Sequence, residues 1–466
     1  MTALLFLLGV LVIAVGVVLS IGLHEVGHLV PAKLFGVRVT QYMIGFGRTV
    51  FSRRRGETEY GFKAIPLGGY ISMVGMFPPA RASRRARLFQ GRPPATLGEA
   101  VEEVVEPSRA RTASTGFFNT LVQDARDTSQ DQIAPGEEHR AFYRLAVWKR
   151  IVIMLGGPTV NLVLGILFTA ILLMGFGTLT PTTTVASVSQ CIVPATQTRT
   201  TCAATDQPAP AAGTALKPGD RITAIDGTLV STWDAVQATI QRSAGKQLEL
   251  TVVAADGATK RIAITPATNT VAVTDANGAV VKDAAGRTET RTVGFIGIGP
   301  TETLQQKPVT AVLPAVWTNV TSVAGVIVHL PQRLVGVAQA AFGTGQRDPN
   351  GPISVVGVGR VAGEIAADPR ITVTSKIASL VGILGSLNIA LFVFNLVPLL
   401  PLDGGHVIGA LWEGVRRRIA RLFGARDPGP VDTAKLMPLT FAVSILLGGM
   451  SVLLIYADLV RPIQIF

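Results

Sequence analysis

The chain opens with a long apolar run that leads directly into ionisable residues, TALLFLLGVLVIAVGVVLSIGLHEVGH, residues 2–28. Residues 2–23 carry no charged side chain, and about 20 apolar residues in a helix cross a hydrocarbon core of roughly 30 Å. The run lacks a basic N-terminal region and is longer than the roughly 7–15 apolar residues of a signal peptide. We therefore interpret it as a retained membrane helix that ends in a cluster of ionisable groups.

Three further runs have similar length and no charged side chain: residues 151–176, 377–401 and 438–457. Only 15% of all residues are charged, against about 25% in an average soluble domain. The sequence therefore predicts an α-helical, multi-span membrane protein with four transmembrane helices.

Basic residues flank these runs unevenly. Clusters occur at residues 53–55, 144–150 and 416–421, and positively charged connections stay in the cytoplasm. This rule places both termini and residues 177–376 outside the cytoplasm. Because the basic clusters border membrane spans, they explain the net charge of +12 without a nucleic-acid partner, and we predict none.

The first run ends in HEVGH, in which His24 and His28 lie four residues apart. On a helix this spacing brings both imidazoles to one face, where they can bind one metal ion. Glu25 directly follows the first histidine, as a general base of a zinc hydrolase does. The alternative is a pair of histidines hydrogen-bonded to neighbours, but ionisable groups within a membrane are costly without a function. The motif predicts a Zn²⁺ site with His24 and His28 as ligands and Glu25 as base.

A catalytic zinc site needs a third protein ligand. The first and third runs both cross from outside to inside, so their inner ends lie at similar depth. Asp403 follows the third run and would therefore lie level with the two histidines. An Asp-Gly turn is the alternative for this residue, but its depth makes Asp403 the predicted third ligand.

The connections between the runs predict further structure. Residues 1–76 join the first span to short membrane-associated strands at residues 37–50 and 60–74, which are rich in β-branched residues and punctuated by glycine. Residues 77–148 contain a polar stretch, 77–142, that we interpret as a flexible cytoplasmic insertion before the second span, residues 149–177.

The outer connection predicts a small α+β domain at residues 181–300. Segments 222–225, 247–254 and 260–265 are strand-like, and residues 232–242 predict a helix. Residues 309–370 follow as an amphipathic connecting segment, in which helices within 309–342 lie on the membrane or pack on the small domain. Residues 376–466 hold the last two spans. Cys191 and Cys202 are the only cysteines, and either a disulfide or two free thiols fits them.

Several motifs resemble the site-2 protease family of intramembrane metalloproteases, and residues 212–227 resemble a bacterial PDZ domain. One such domain is found, as in the actinobacterial type. The resemblance covers most of the chain except about residues 77–142. The family motifs are HEVGH at 24–28, GFG at 45–47, PLGGY at 66–70, GGPTVN at 156–161, GPISVVG at 351–357 and NLVPLLPLDGGH at 395–406.

The resemblance implies hydrolysis of peptide bonds in single-span membrane proteins of a bacterial plasma membrane. The substrate would be a regulator such as an anti-sigma factor, trimmed outside by a site-1-type protease. It also implies that Asn395 holds the substrate or the oxyanion. Asn388 lies seven residues before Asn395, on the same helix face, and is predicted to bind the substrate as well. For both asparagines an interhelical hydrogen bond is the alternative. His406 is expected to lie in a loop or to contact the metal ligands, and not to be a ligand itself.

The same resemblance implies that Gly45, Gly68 and Gly69 belong to a membrane-dipping β-structure that pairs with an extended substrate. Two other functions stay open from the sequence. One is a membrane zinc protease that acts on soluble or lipidated chains. The other is an inactive membrane scaffold with a PDZ domain.

Overall fold

A computed structural model describes residues 2–79, 117–131, 133–193, 202–203, 205–273, 287, 289–343, 347 and 351–462. The chain divides into two compact units. The first unit contains Met1–Ile171 and Val312–Phe466, and the second contains Leu172–Ala311.

The described residues contain ten α-helices and ten strands, besides short 3₁₀ helices and one π-helix, Ile171–Phe176. The helices are α1 Thr2–Leu34, α2 Phe117–Asp131, α3 Val147–Ala170, α4 Trp233–Arg242, α5 Val312–Val328, α6 Leu330–Phe342, α7 Val355–Ala367, α8 Val373–Asn395, α9 Asp403–Leu422 and α10 Met437–Val460. The strands are β1 Val39–Arg55, β2 Thr58–Met73, β3 Thr178–Val188, β4 Arg221–Ile225, β5 Thr228–Leu229, β6 Leu248–Val253, β7 Thr259–Ile264, β8 Ala267–Ala272, β9 Thr290–Phe295 and β10 Ile298–Gln305.

Among the described residues, five helical segments are long and apolar enough to cross a membrane. Four of them contain α1, α3, α8 and α10 and overlap the predicted runs, although α1 continues to Leu34 and α8 ends at Asn395, before the end of the run 377–401. The fifth is Val309–Val328, which the sequence placed on the membrane surface or on the small domain. Its helix α5 packs on membrane helices instead, because Asn319 donates a hydrogen bond to Ser386 of α8 at 3.1 Å.

Small residues let α1, α3 and α8 approach closely, as is common between membrane helices. A Cβ atom added to Gly27 of α1 would lie 2.4 Å from the carbonyl oxygen of Gly156 in α3. The Asn388 side chain of α8 donates to Ser20 of α1 at 3.0 Å, and Gly16 of α1 abuts Leu384 of α8. Since both contacts advance in the same direction along the two helices, α1 and α8 run parallel.

Strands β1 and β2 form one bent antiparallel pair. Residues 41–44 of β1 pair on one side with 69–72 and on the other with 59–62 of β2. Glycines in the left-handed region allow the bends, with φ of +96° at Gly45 and +125° at Gly68. The predicted strands are therefore confirmed, but each is longer and folds back on its partner.

The insertion contains more structure than its composition suggests. Residues 80–116 and 132 lie outside the described residues, whereas Phe117–Asp131 forms helix α2. Arg140 near the end of the insertion donates to both carboxylate oxygens of Glu57, at 2.7 and 2.9 Å. This pairing lowers the pKa of Glu57. The description of 77–142 as flexible was therefore wrong for α2, where side-chain contacts hold a segment that local periodicity does not mark.

The second unit has its own sheet and core. Its strands follow the order β10-β3-β4-β6-β7, with β5 paired to β4, and β8 and β9 form a separate hairpin. Helix α4 starts after Thr232, whose hydroxyl accepts from the Ala235 amide. The predicted strands and helix are confirmed within one or two residues. The structure joins Cys191 and Cys202 in a disulfide, which decides between the two alternatives for these residues. The core side chains include Val185, Ile222, Val236, Leu250 and Val252.

Candidate metal centre

The two histidines lie on the face of α1 that packs against α3, and both are buried. A glycine makes room for them. A Cβ atom added to Gly157 of α3 would lie 2.3 Å from Nε2 of His28 and 2.7 Å from Nε2 of His24. Both distances are far below van der Waals contact. Residue 157 must therefore be glycine for both imidazole rings to occupy this position.

Helix α3 also sets the orientation of the rings. Nδ1 of His28 lies 2.7 Å from the carbonyl oxygen of Ile153. Because a carbonyl oxygen only accepts, Nδ1 carries the proton and Nε2 presents its lone pair. Nδ1 of His24 lies 3.0 Å from the side-chain amide nitrogen, Nδ2, of Asn161, and Oδ1 of Asn161 is buried without a hydrogen-bond partner among the described residues. With the amide turned so that its oxygen accepts, His24 has the same tautomer, as metal-binding histidines require.

The carboxylate of Asp403, the first residue of α9, completes the cluster. Its Oδ2 atom lies 3.4 Å from Nε2 of His24 and 3.3 Å from Nε2 of His28. The two Nε2 atoms are 3.2 Å apart. Ligands at about 2.0–2.1 Å from a tetrahedral zinc ion are separated by roughly 3.3 Å. The triangle therefore has the size of one face of a zinc coordination tetrahedron.

A further observation supports the fit to a cation. Oδ2 of Asp403 is buried without a hydrogen-bond partner in the described part of the chain. A buried carboxylate oxygen without a partner is costly, and a metal ion would satisfy it. His24, His28 and Asp403 also form the only group of at least three His, Cys, Asp or Glu residues among the described ones that is close enough to hold a metal ion.

Glu25 is buried beside this cluster, 8% exposed, and strand β2 passes next to it. A Cβ atom added to Gly69 would lie 3.1 Å from Oε1 of Glu25. A side chain at residue 69 would displace the Glu25 carboxylate, so Gly69 lets the β2 backbone run close to it. Gly45 and Gly68 lie at the bends of the same sheet and not against Glu25, so the three predicted glycines have different environments.

The two asparagines also differ. Asn388 is fully buried and donates to Ser20 and to the carbonyl oxygen of Leu384, which matches the interhelical alternative. Asn395 ends α8 and is partly exposed, and its side chain has no hydrogen-bond partner among the described residues. His406 lies within helix α9, not in a loop.

Asn161 was missed as a site residue in the sequence, although its motif was recognised. A signal was present, because a fully buried polar side chain in an otherwise apolar helix needs a partner. Its partner, His24, is 137 residues away in the chain.

Comparison with known proteins shows the family of the chain. The sequence model of Peptidase family M50 matches residues 12–425. The chain belongs to peptidase family M50. It is 31% identical over 470 residues to zinc metalloprotease Rip1 of Mycobacterium tuberculosis, covering 99% of this chain and 100% of the relative.

Other similar proteins are also named zinc metalloproteases. Zinc metalloprotease Rip1 of Mycolicibacterium smegmatis is 30% identical, over 99% of this chain and 100% of its own. Zinc metalloprotease RasP of Geobacillus kaustophilus is 26% identical, over 84% of this chain and 86% of its own. This M50 peptidase is therefore a zinc metallopeptidase of the site-2 protease type and a membrane protein, with Zn²⁺ as its cofactor.

Proposed function

We propose that this M50 peptidase cleaves the transmembrane segments of single-span, membrane-anchored regulators such as anti-sigma factors, after a site-1-type protease has trimmed them outside. The observation that carries the proposal is the triangle formed by His24 and His28 of membrane helix α1 and by Asp403, the first residue of α9. Because both histidines lie within a membrane helix, the site would act on bonds at membrane depth. Anti-sigma factors are named from the family resemblance.

In the proposed reaction His24, His28 and Asp403 hold Zn²⁺, which supplies Lewis-acid activation of the peptide carbonyl and of water. Glu25 accepts a proton from the attacking water and delivers it to the leaving amine. Ile153 and Asn161 hold the imidazoles so that their Nε2 atoms face the cation. Asn395, partly exposed at the end of α8, is proposed to contact the substrate or the oxyanion.

A helical substrate must unwind before it is cut, and its freed backbone then needs hydrogen-bond partners. Residues 69–72 of β2 pair with β1 along one edge, and no other described strand pairs with them. We propose that the second edge receives the unwound substrate as an added strand. This places the substrate beside Glu25, because Gly69 lies against that carboxylate.

The proposed location is a bacterial plasma membrane, with both termini and the second unit outside the cytoplasm. Parallel α1 and α8 require an odd number of crossings between them, and α3 supplies one. If α5 enters the membrane, the chain must return before α8, and α6 is the helix that follows. We propose that α5 and α6 form such a hairpin, which leaves four full spans.

The proposed activity is tested by reconstituting the purified protein with a single-span substrate in phospholipid vesicles and identifying the products by mass spectrometry. We expect cleavage inside the span of a trimmed substrate. Cleavage confined to a soluble or lipidated control chain would contradict the proposal. Zinc binding without cleavage of any substrate would favour the inactive scaffold.

The second unit is proposed to be a PDZ-like domain that excludes untrimmed substrates by size. It has an independent core and a cavity of about 210 Å³ between α4 and the segment that joins β9 to β10, with Trp233, Ile240, Phe295 and Ile298 in its lining. Such a groove beside a strand edge suits an extended peptide. The unit is inserted in the chain between α3 and α5, on the proposed outer side.

Deletion of residues 182–300 tests this role. Pro181 and Thr301 can be joined by a short linker, because Pro181 pairs with Glu302 and Thr180 pairs with Thr303 at the base of the unit. We expect the deletion to leave cleavage of a trimmed substrate largely intact and to permit cleavage of the untrimmed one. Continued rejection of the untrimmed substrate, with the trimmed one still cut, would mean that the filter lies elsewhere.

A further inference from the structure

A cavity of about 480 Å³ is lined by residues 70–73 of β2, in the part of the strand that pairs with β1 along one edge only. Residues 70–73 of β2 form one wall, and helix α2 of the insertion forms the opposite wall. Met437, the first residue of α10, also contributes to the lining. The lining residues are Tyr70, Ile71, Ser72, Met73, Met76, Phe77, Asp124, Thr128, Ser129 and Met437.

Specific contacts hold α2 in this position. The hydroxyl of Ser129 accepts from the amide of Phe77 at 3.1 Å and lies 3.2 Å from the carbonyl oxygen of Phe77. Arg126 forms an ion pair with Asp432, just before α10. Ser129 is buried, so the contact with the chain that leaves β2 is shielded from water. A strand edge that faces a helix across a cavity is the arrangement that receives an added peptide strand.

Neighbouring residues of one strand contact Glu25 and the cavity. Gly69 lies against Glu25, and the cavity starts at the next residue, Tyr70. A strand advances about 3.3 Å per residue, so the cavity wall formed by residues 70–73 extends to roughly 10–13 Å from Gly69, the residue beside Glu25. A substrate that pairs with β2 and has its scissile bond beside Glu25 would therefore continue into this cavity.

The charge of the cavity favours one part of the substrate. Asp124 contributes a carboxylate to the lining, and the arginine of the same helix, Arg126, is engaged with Asp432. In the proposed topology the start of α10 is cytoplasmic, since it follows the basic cluster at residues 416–421. Residues that flank a span on the cytoplasmic side are rich in Lys and Arg. The carboxylate is thus complementary to that flank of a membrane substrate.

The geometry points to α2 as a clamp that binds the basic cytoplasmic segment of the substrate, adjoining the cleaved bond, as an extended strand between itself and β2. The inference rests on the proposed function, because it assigns a further part of the substrate to the same site. It gives the insertion a role in substrate selection.

Disulfide cross-linking tests whether the cytoplasmic segment of the substrate lies in the cavity, and it does not require cleavage. Ser72 is replaced by Cys in the Glu25→Gln protein, and single cysteines are placed at successive positions of the cytoplasmic segment of a trimmed substrate. The two native cysteines are joined to each other, so the engineered thiols react alone. We expect disulfides at alternate substrate positions, as in a strand. Ser52→Cys on the distant part of β1, where Ser52 pairs with Gly61, is the matched control and should give none.

Charge reversal tests the selection. For a substrate with a Lys-rich cytoplasmic flank, Asp124→Lys should lower kcat/KM about three- to tenfold, and a Glu-rich flank should restore it. Asp127→Lys makes the same change on α2 at a residue that does not line the cavity, and it should leave both substrates unaffected. Equal zinc content in the variants checks that each has folded.

Two results would overturn the clamp. One is equal cross-linking through Ser72→Cys and Ser52→Cys, or a spacing of three to four residues that indicates a helix. The other is an Asp124→Lys protein with the substrate preference of the native one. Failure of the proposed function would give a different result. The native protein would then leave a trimmed single-span substrate uncut, whatever the charge of its cytoplasmic flank. Cross-linking through Ser72→Cys still decides the clamp in that case.

Discussion

Replacing Glu25 by Gln is expected to reduce cleavage by a factor on the order of 10²–10⁴ while zinc content stays at about one ion per chain. The amide has the shape of the carboxylate, so it fits the space beside Gly69. It cannot accept a proton from water, and it leaves His24, His28 and Asp403 in place. Single-turnover cleavage in vesicles and metal analysis of the same preparation measure the two quantities separately.

The matched control is Glu364→Gln in α7. Glu364 accepts a hydrogen bond from Arg360 within its own helix, and it is not part of the metal cluster. This variant should retain the native rate. If the Glu25→Gln protein also retained the native rate, another residue would have to transfer the proton. If it lost its zinc, Glu25 would contribute to metal binding as well.

The spans and the histidine pair could be predicted from the sequence because each depends on nearby residues. A charge-free run of sufficient length predicts a membrane helix, and two histidines four apart share a helix face. Asp403 lies 375 residues beyond His28, yet topology restricted its depth. The structure brings its carboxylate within 3.4 Å of both imidazoles, which is a contact that depth alone does not specify.

Contacts between the membrane helices could not be predicted from the sequence. Gly157 and Asn161 are one turn apart on α3, and their roles depend on the side of α3 that α1 covers. An apolar helix in a membrane presents apolar side chains on every face, so periodicity does not indicate its packing side. Only the packed structure shows that Gly157 makes room for the two rings and that Asn161 contacts His24.

The insertion and α5 were misjudged for related reasons. Helix α2 is polar, and it is held by contacts that Ser129 and Arg126 make with residues far away in the chain. Its stability therefore depends on tertiary partners and not on local pattern. Helix α5 has apolar residues such as Trp317, Val320 and Ala324 at helical spacings, which are also typical of a helix on the membrane surface, but its Asn319 donates a hydrogen bond to Ser386 of α8.

Asp403→Ala is expected to weaken zinc binding by more than about 100-fold and to abolish cleavage. Two histidines alone are a poor zinc site, and loss of a direct ligand should exceed the 10–100-fold cost of losing an outer partner. The substitution also removes the carboxylate that neutralises part of the charge of the cation in a buried site, where an uncompensated charge is costly. Competition with a chelator of known affinity gives the dissociation constant independently of activity.

Asp427→Ala provides the control for this change. Asp427 lies beyond α9 and is 67% exposed beside Arg417, so its removal should alter neither zinc affinity nor cleavage. Asp403→Ala protein with native zinc affinity would rule out Asp403 as a ligand, even if the activity were lost. Loss of zinc from Asp403→Ala alone would instead establish that the third ligand comes from α9. The metal would then link α1 to the segment after α8, and its removal with a chelator should lower the thermal stability of the native protein but not that of Asp403→Ala.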